Sequence, residues 1–158
     1  MVFRARTASM KRTVTGTEVG MGWRSVWQRW TGRGGAARWD PERTDLVVVV
    51  SSFDDAESCS GALERAAQQW APDVPAMLRH HLRIPAEQVA AVTALAAQDG
   101  YSPAEPGETS PATADLLLQR VQILDALHCS QERSRMASLA QRHDGTAVGW
   151  DALQPPRS

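Results

Sequence analysis

Cysteine is nearly absent from the chain, with Cys59 and Cys129 the only two among 158 residues, so no disulfide framework can carry the fold. Long apolar runs are missing too. Nothing approaches the roughly 18 to 20 consecutive apolar residues of a membrane-spanning helix, and LVVVV at 46–50 has the length of a buried strand. No secretory h-region is visible, which together with the lack of a cysteine framework favours a reducing, cytoplasmic setting. No C-x-x-C or H-x-x-x-H spacing announces a metal site. His80 and His81 are adjacent and point to opposite faces of a strand, so they cannot jointly ligate one ion. The glycines of 15–22 are not followed by Lys-Ser/Thr, which excludes a phosphate loop. No cofactor or metal ion is expected, and no internal repeat is present.

What the chain does contain is a division of charge. Residues 1–40 carry eight Lys/Arg against two acids, and 41–158 carry nine against sixteen. The total of −1 therefore conceals a basic tail and an acidic body. Phosphate attraction scales with Lys/Arg contacts, so the body is a poor non-specific ligand for nucleic acid and suits a basic protein surface.

Residues 1–40 are rich in Arg, Thr and Gly and read as a largely disordered tail. Residues 22–30 are the exception. Trp23, Trp27 and Trp30 recur at i, i+4 and i+7, with Arg24 and Arg29 beside them, which makes a short basic aromatic stripe on a helix. Such a stripe fits RNA, an anionic membrane surface or a partner groove, or it folds back on the body. Met10 and Met21 are alternative translation starts to Met1.

A single α+β domain is expected over 45–153, with 154–158 as a frayed end. Leu46–Val50 reads as a buried strand, and Ser52–Asp55 supplies cap chemistry for a helix of about sixteen residues. Cys59, Ala62, Leu63, Ala66 and Trp70 form its apolar face, and Pro72 and Pro75 end it. Leu78, His80, Leu82 and Ile84 alternate along a strand at 77–84. Pro85 opens a helix over 86–99 whose inward face is Val89, Val92, Leu95 and Ala96, ending at Gly100. Tyr101 starts an edge strand, and the prolines of 102–113 make an irregular loop. Val121–Leu127 reads as a strand. Ser130 caps a helix with Met136, Leu139, Ala140 and His143 inward and Glu132 outward, stopped at Asp144-Gly145. Thr146–Ala152 closes the chain as a strand with Val148, Trp150 and Ala152 on one face. The order is an extra βα unit followed by βαββαβ, the order of a ferredoxin-like core.

Three stretches carry a family resemblance: His80-His81-Leu82-Arg83-Ile84-Pro85, the Ala-rich helix ending Gly100-Tyr101, and the closing helix followed by Gly145-Thr146-Ala147-Val148-Gly149-Trp150-Asp151. Over about residues 77–153 the chain resembles the RraB family, regulators of ribonuclease E activity. Members tend to have Tyr-Asp-Gly-Trp where Ala147-Val148-Gly149-Trp150 stands here. The resemblance implies a binding module without chemistry of its own, docking on a ribonuclease. Interaction residues are accordingly sought in Trp23, Arg24, Trp27, Arg29 and Trp30 and in Trp150, since Trp is enriched in interface anchors; Trp150 equally suits a buried structural ring.

Two other function classes are open to the residues. His128, Cys129 and His143 would serve a small Cys/His enzyme if an imidazole stood beside the thiol to generate thiolate. The Trp/Arg stripe would serve a membrane-surface adaptor.

Overall fold

The computed structural model describes residues 39–40, 42–104 and 109–157. These belong to one compact unit, Arg33–Ser158. The Trp23, Arg24, Trp27, Arg29 and Trp30 stripe lies outside the described residues.

Over the described residues the structure is mixed α/β, with five strands and three α-helices. In order they are β1 (Val47–Ser52), α1 (Cys59–Arg65), β2 (Ala76–Pro85), α2 (Val89–Gln98), β3 (Ser102–Pro103), β4 (Thr113–Gln122), α3 (Ala126–Arg142) and β5 (Thr146–Gln154). A short 3-10 turn, Ala86–Gln88, precedes α2. The sheet order is β1-β5-β2-β4-β3, and every neighbouring pair is antiparallel. Strands joined through a helix are therefore never neighbours: β5 separates β1 from β2, β4 separates β2 from β3, and β2 separates β4 from β5.

Alternation fixes which face is covered. Ala76, Leu78, His80, Leu82 and Ile84 of β2 and Ala114, Leu116 and Leu118 of β4 are buried on one side, as period 2 requires. Two clusters fill that side. Cys59, Ala62, Leu63 and Ala66 pack with Val49, Val50, Leu78, Ala152, Trp150 and Cys129. Val92 and Ala96 of α2 and Met136, Leu139 and Ala140 of α3 pack with Leu82, Ile84, Leu116 and Leu118. All three helices thus lie on one face of the sheet. Among the described residues no helix lies on the other.

Several elements depart from the sequence reading. Asp125, not Ser130, caps α3: its side chain accepts from the backbone N–H of His128 at 2.8 Å. The strand before it is Thr113–Gln122, paired along its whole length with β2, and Leu124 turns into the core. The helix of sixteen residues shrinks to Cys59–Arg65, capped by Ser58. Beyond it, i→i+3 bonds such as Gln69 N–H to Ala66 O make tight turns. The Trp70 indole donates to Leu63 O at 2.9 Å, satisfying a carbonyl near the helix end. Leu95 is exposed and Glu132 is buried, the reverse of the amphipathic assignment. Asp144 takes the left-handed conformation (φ 57) at the end of α3, while Gly145 is required for a different reason: a Cβ there would stand 2.7 Å from Arg83 O.

Candidate interaction face

The face of the sheet that bears no helix among the described residues is built from the alternate residues of the same strands. Arg79, His81 and Arg83 come from β2, Asp115, Leu117 and Val121 from β4, Asp151 and Leu153 from β5. Register decides which of them meet. Arg79 lies opposite Asp151 across the β2/β5 ladder, and Arg83 lies opposite Asp115 across β2/β4. Each Arg faces an acid as a direct cross-strand neighbour, the arrangement in which opposite charges stabilise a sheet.

The Arg79–Asp151 pair is bidentate, Nε to Oδ1 at 2.6 Å and Nη2 to Oδ2 at 2.7 Å, and His81 Nε2 adds a third contact to Oδ2 at 2.9 Å. The Asp151 side chain is only 7% exposed. Burial pushes its carboxyl up, but the His81 hydrogen bond and the Arg79 guanidinium outweigh burial and hold it below the usual carboxylate range. Arg83 meets Asp115 at 2.8 Å in a more exposed setting.

Apolar groups surround these pairs. Phe53 is 54% exposed and stacks edge-on against His81 with ring centroids 5.0 Å apart. Val48 and Val148 are exposed as well. A hollow of about 210 Å³ opens between His81, Arg83, Asp115, Leu117 and Val148. Val148 reaches it through a bulge, because His81 pairs with Gly149 while Leu82 pairs with Ala147. The intervening residue has no partner and turns outward. Simple alternation, which puts Val148 with Trp150, fails at that position.

The three residues that close the family-like stretch therefore divide between the faces. Gly149 makes room: a Cβ would collide with the Phe53 ring and stand 2.7 Å from Ser52 O. Trp150 is 1% exposed and packs beneath the helices. It is a core ring and offers a partner no surface, so the interface-anchor assignment is corrected. Asp151 points to the open face. The sequence reading missed Asp151, Arg79, His81 and Phe53. The i, i+2, i+4 alternation of charge in Arg79, His81 and Arg83 was the available signal.

A second polar cluster sits on the helix-covered side. Tyr101 Oη donates to Glu132 Oε2 at 2.7 Å and stands 3.5 Å from His80 Nε2, and Arg120 Nη2 reaches Glu132 Oε1 at 3.1 Å. The Arg120 guanidinium also lies over the Tyr101 ring, 4.7 Å from its centroid. Burial drives the His80 imidazole down to about 4 and the Tyr101 phenol up. Burial also raises the Glu132 carboxyl, but the Tyr101 hydrogen bond and Arg120 bring it to a net value below its ordinary range. Every member of the cluster is tied to another, so it is a brace between α3 and the sheet.

The thiol and imidazoles of the enzyme reading are not assembled. His128 is exposed and bonds Asp125, while His143 bonds Gln88 at 2.8 Å from the far end of the 17-residue helix α3. Cys129 and Cys59 are both free and buried in the same core cluster. Among the described residues no group of three His, Cys, Asp or Glu side chains is placed to hold a metal ion, and no helix is long and apolar enough to cross a membrane. Comparison with protein-family models, with curated proteins and with solved structures finds no match for the chain.

Proposed function

We propose that the protein is a cytoplasmic, non-enzymatic regulator that acts by binding another protein, and that its target is an RNA-degrading enzyme of the ribonuclease E type. The observation that carries this reading is the uncovered sheet face, where apolar side chains surround acids and arginines already paired with one another. Such a face can be desolvated by a partner without stranding a charge, which is what a stable interface requires. The acidic balance of residues 41–158, nine Lys/Arg against sixteen acids, favours a basic partner surface and a fast encounter.

Architecture supports the same reading. The strand order β5-β2-β4-β3 with all-antiparallel neighbours is the order expected of a ferredoxin-like βαββαβ core, and β1-α1 adds one unit beyond β5. The likeness to the RraB family runs through β2, the end of α2 and β5, and β2 and β5 supply most of the open face.

The test is direct. Purified full-length protein should bind purified ribonuclease E from the same source and slow its cleavage of a model RNA. Val148→Asp and Phe53→Asp should each weaken binding at least tenfold, whereas Leu127→Asp, at an exposed position on α3, should not. Absence of both binding and inhibition removes the reading. Self-association that the same two substitutions abolish would reassign the face to a second copy of the chain.

A further inference from the structure

The two margins of the sheet end differently. At one, β3 is two residues long and finishes in Pro103, which has no N–H to offer an incoming strand. At the other lies β1, whose one strand neighbour among the described residues is β5. An edge strand presents backbone N–H and C=O groups that a further extended chain can pair. The sequence of β1, Val-Val-Val-Val-Ser-Ser, contains neither proline nor charge, and Val47 and Val48 are 44% and 50% exposed. Arg65 donates to Ser51 O at 2.9 Å, so the template is residues 47–50, roughly 13 Å of strand at about 3.3 Å per residue.

Charge decides what this edge can accept. Residues 40–55 hold Asp40, Glu42, Asp45, Asp54 and Asp55 against Arg43, five acids to one base, and all six are exposed. Arg43 is already engaged by Asp45, Nη2 to Oδ2 at 2.7 Å. Asp55 is 96% exposed and comes no nearer to Arg133 than 3.7 Å. Three acids thus precede β1 and two follow it. A second copy paired antiparallel along the edge would set the acids before one β1 against those after the other, like charge facing like. The register shift between Val48 and Val50 also works against a long, flat self-pairing. A segment with Lys or Arg at both ends meets opposite charge at each end instead.

We propose that the β1 edge is a docking site for an extended, basic segment of a partner protein, which adds to the sheet as a further strand. Backbone pairing supplies the grip, Val47 and Val48 take apolar side chains of the segment, and the flanking acids select its ends. The inference does not depend on the open-face reading: that face is read by side chains, this edge by backbone.

The experiment titrates full-length protein at low salt with the fluorescent, end-blocked peptide Lys-Lys-Val-Thr-Val-Thr-Val-Lys-Lys, and follows backbone amides by hydrogen exchange. Expected are saturable binding and slowed exchange within residues 47–50. The same peptide with Glu in place of Lys should bind roughly tenfold or more weakly, and so should the Lys peptide N-methylated at both Thr, which blocks strand pairing. Glu42→Lys combined with Asp55→Lys, one change on each flank at exposed positions, should weaken the Lys peptide to a similar extent; if circular dichroism shows that variant unfolded, the Glu peptide carries the charge test. Val148→Asp should leave peptide affinity within about twofold, as expected of a separate site. No binding, or equal binding of the Glu or N-methylated peptide, would overturn the proposal. A loss with Val148→Asp would place the peptide on the open face, and protection of 47–50 that is present without peptide or grows with protein concentration would give the edge to the chain itself; either result overturns it too.

Discussion

The two faces of the sheet each bury a carboxylate against an arginine, and they do so to different ends. Beneath the helices, Glu132 is braced by Tyr101 and Arg120 in a space shared with the neutral ring of His80. On the open face, Asp151 is held by Arg79 and His81 with solvent one layer away. Removing a member of the first group leaves a polar atom stranded among apolar neighbours. Removing a member of the second lets water in. The covered face should therefore govern stability, while the open face can change at modest energetic cost and is free to specify a partner.

The largest expected effect breaks the covered face at its biggest side chain. Trp150→Ala should cost about 3–5 kcal/mol in a urea titration, the range for truncating a buried large aromatic. Phe53→Ala on the open side should cost under about 1 kcal/mol. Equal losses would erase the distinction between the faces.

Acid should act on the covered face next. His80 titrates at 6.5 unfolded and about 4 folded, so between those values the unfolded chain binds more protons and stability falls as pH falls. A shift of that size corresponds to roughly 3 kcal/mol by linkage. His80→Phe should flatten the stability profile over that window, and an unchanged slope would show that another group is responsible. Asp151 and Glu132 have lowered folded values. Their contributions are complete above the unfolded carboxylate range, near 4, and are lost only below it, as pH falls through the folded values. Asp151→Asn should thus soften the most acidic limb and leave the His80 window intact.

Gly149→Ala tests the seam between the faces. The added methyl has Phe53 and Ser52 O in its way, so we expect a loss of about 1–3 kcal/mol, the range for overpacking. Phe53→Ala in the same chain should restore only part of it, because Ser52 O is backbone. A smaller effect than that of Gly149→Ala belongs to Gln154, whose amide donates to Ala71 O at 2.9 Å and Val74 O at 2.8 Å and accepts from Ala71 N–H at 2.8 Å. Gln154→Ala should cost about 1 kcal/mol and speed amide exchange at Ala71 before elsewhere.

Local pattern made much of this fold readable from sequence, and contacts at a distance made the rest unreadable. The alternation of Leu78, His80, Leu82 and Ile84 marks β2 and its inward face, and Gly100 ends α2 with a positive φ (81) as expected. The spacing of Met136, Leu139 and Ala140 gives the inward face of α3 correctly. Glu132 escaped because a charge at a helix position reads as solvent-facing until the Tyr101 hydroxyl and Arg120 are known to be there. Asp125 escaped because Val121–Leu127 looks like one apolar run, whereas the ladder with β2 ends at Gln122. The bulge at Val148 is set by pairing with β2, which no pattern within β5 encodes. The open face needed the strand order, since Arg79 and Asp151 belong together only when β2 and β5 are neighbours.

The interleaving of the strands has a consequence for how the chain is made. Among the described residues the first strand, β1, pairs only with the last, β5, and β5 also supplies one edge of the ladder to β2. Until residues 146–154 leave the ribosome, β1 has no place in the sheet and its valines have no partner. Assembly is then dominated by long-range closure, which slows folding. A nascent chain stalled before Thr146 should remain sensitive to protease along β1, and emergence of the nine residues of β5 should protect both strands at once.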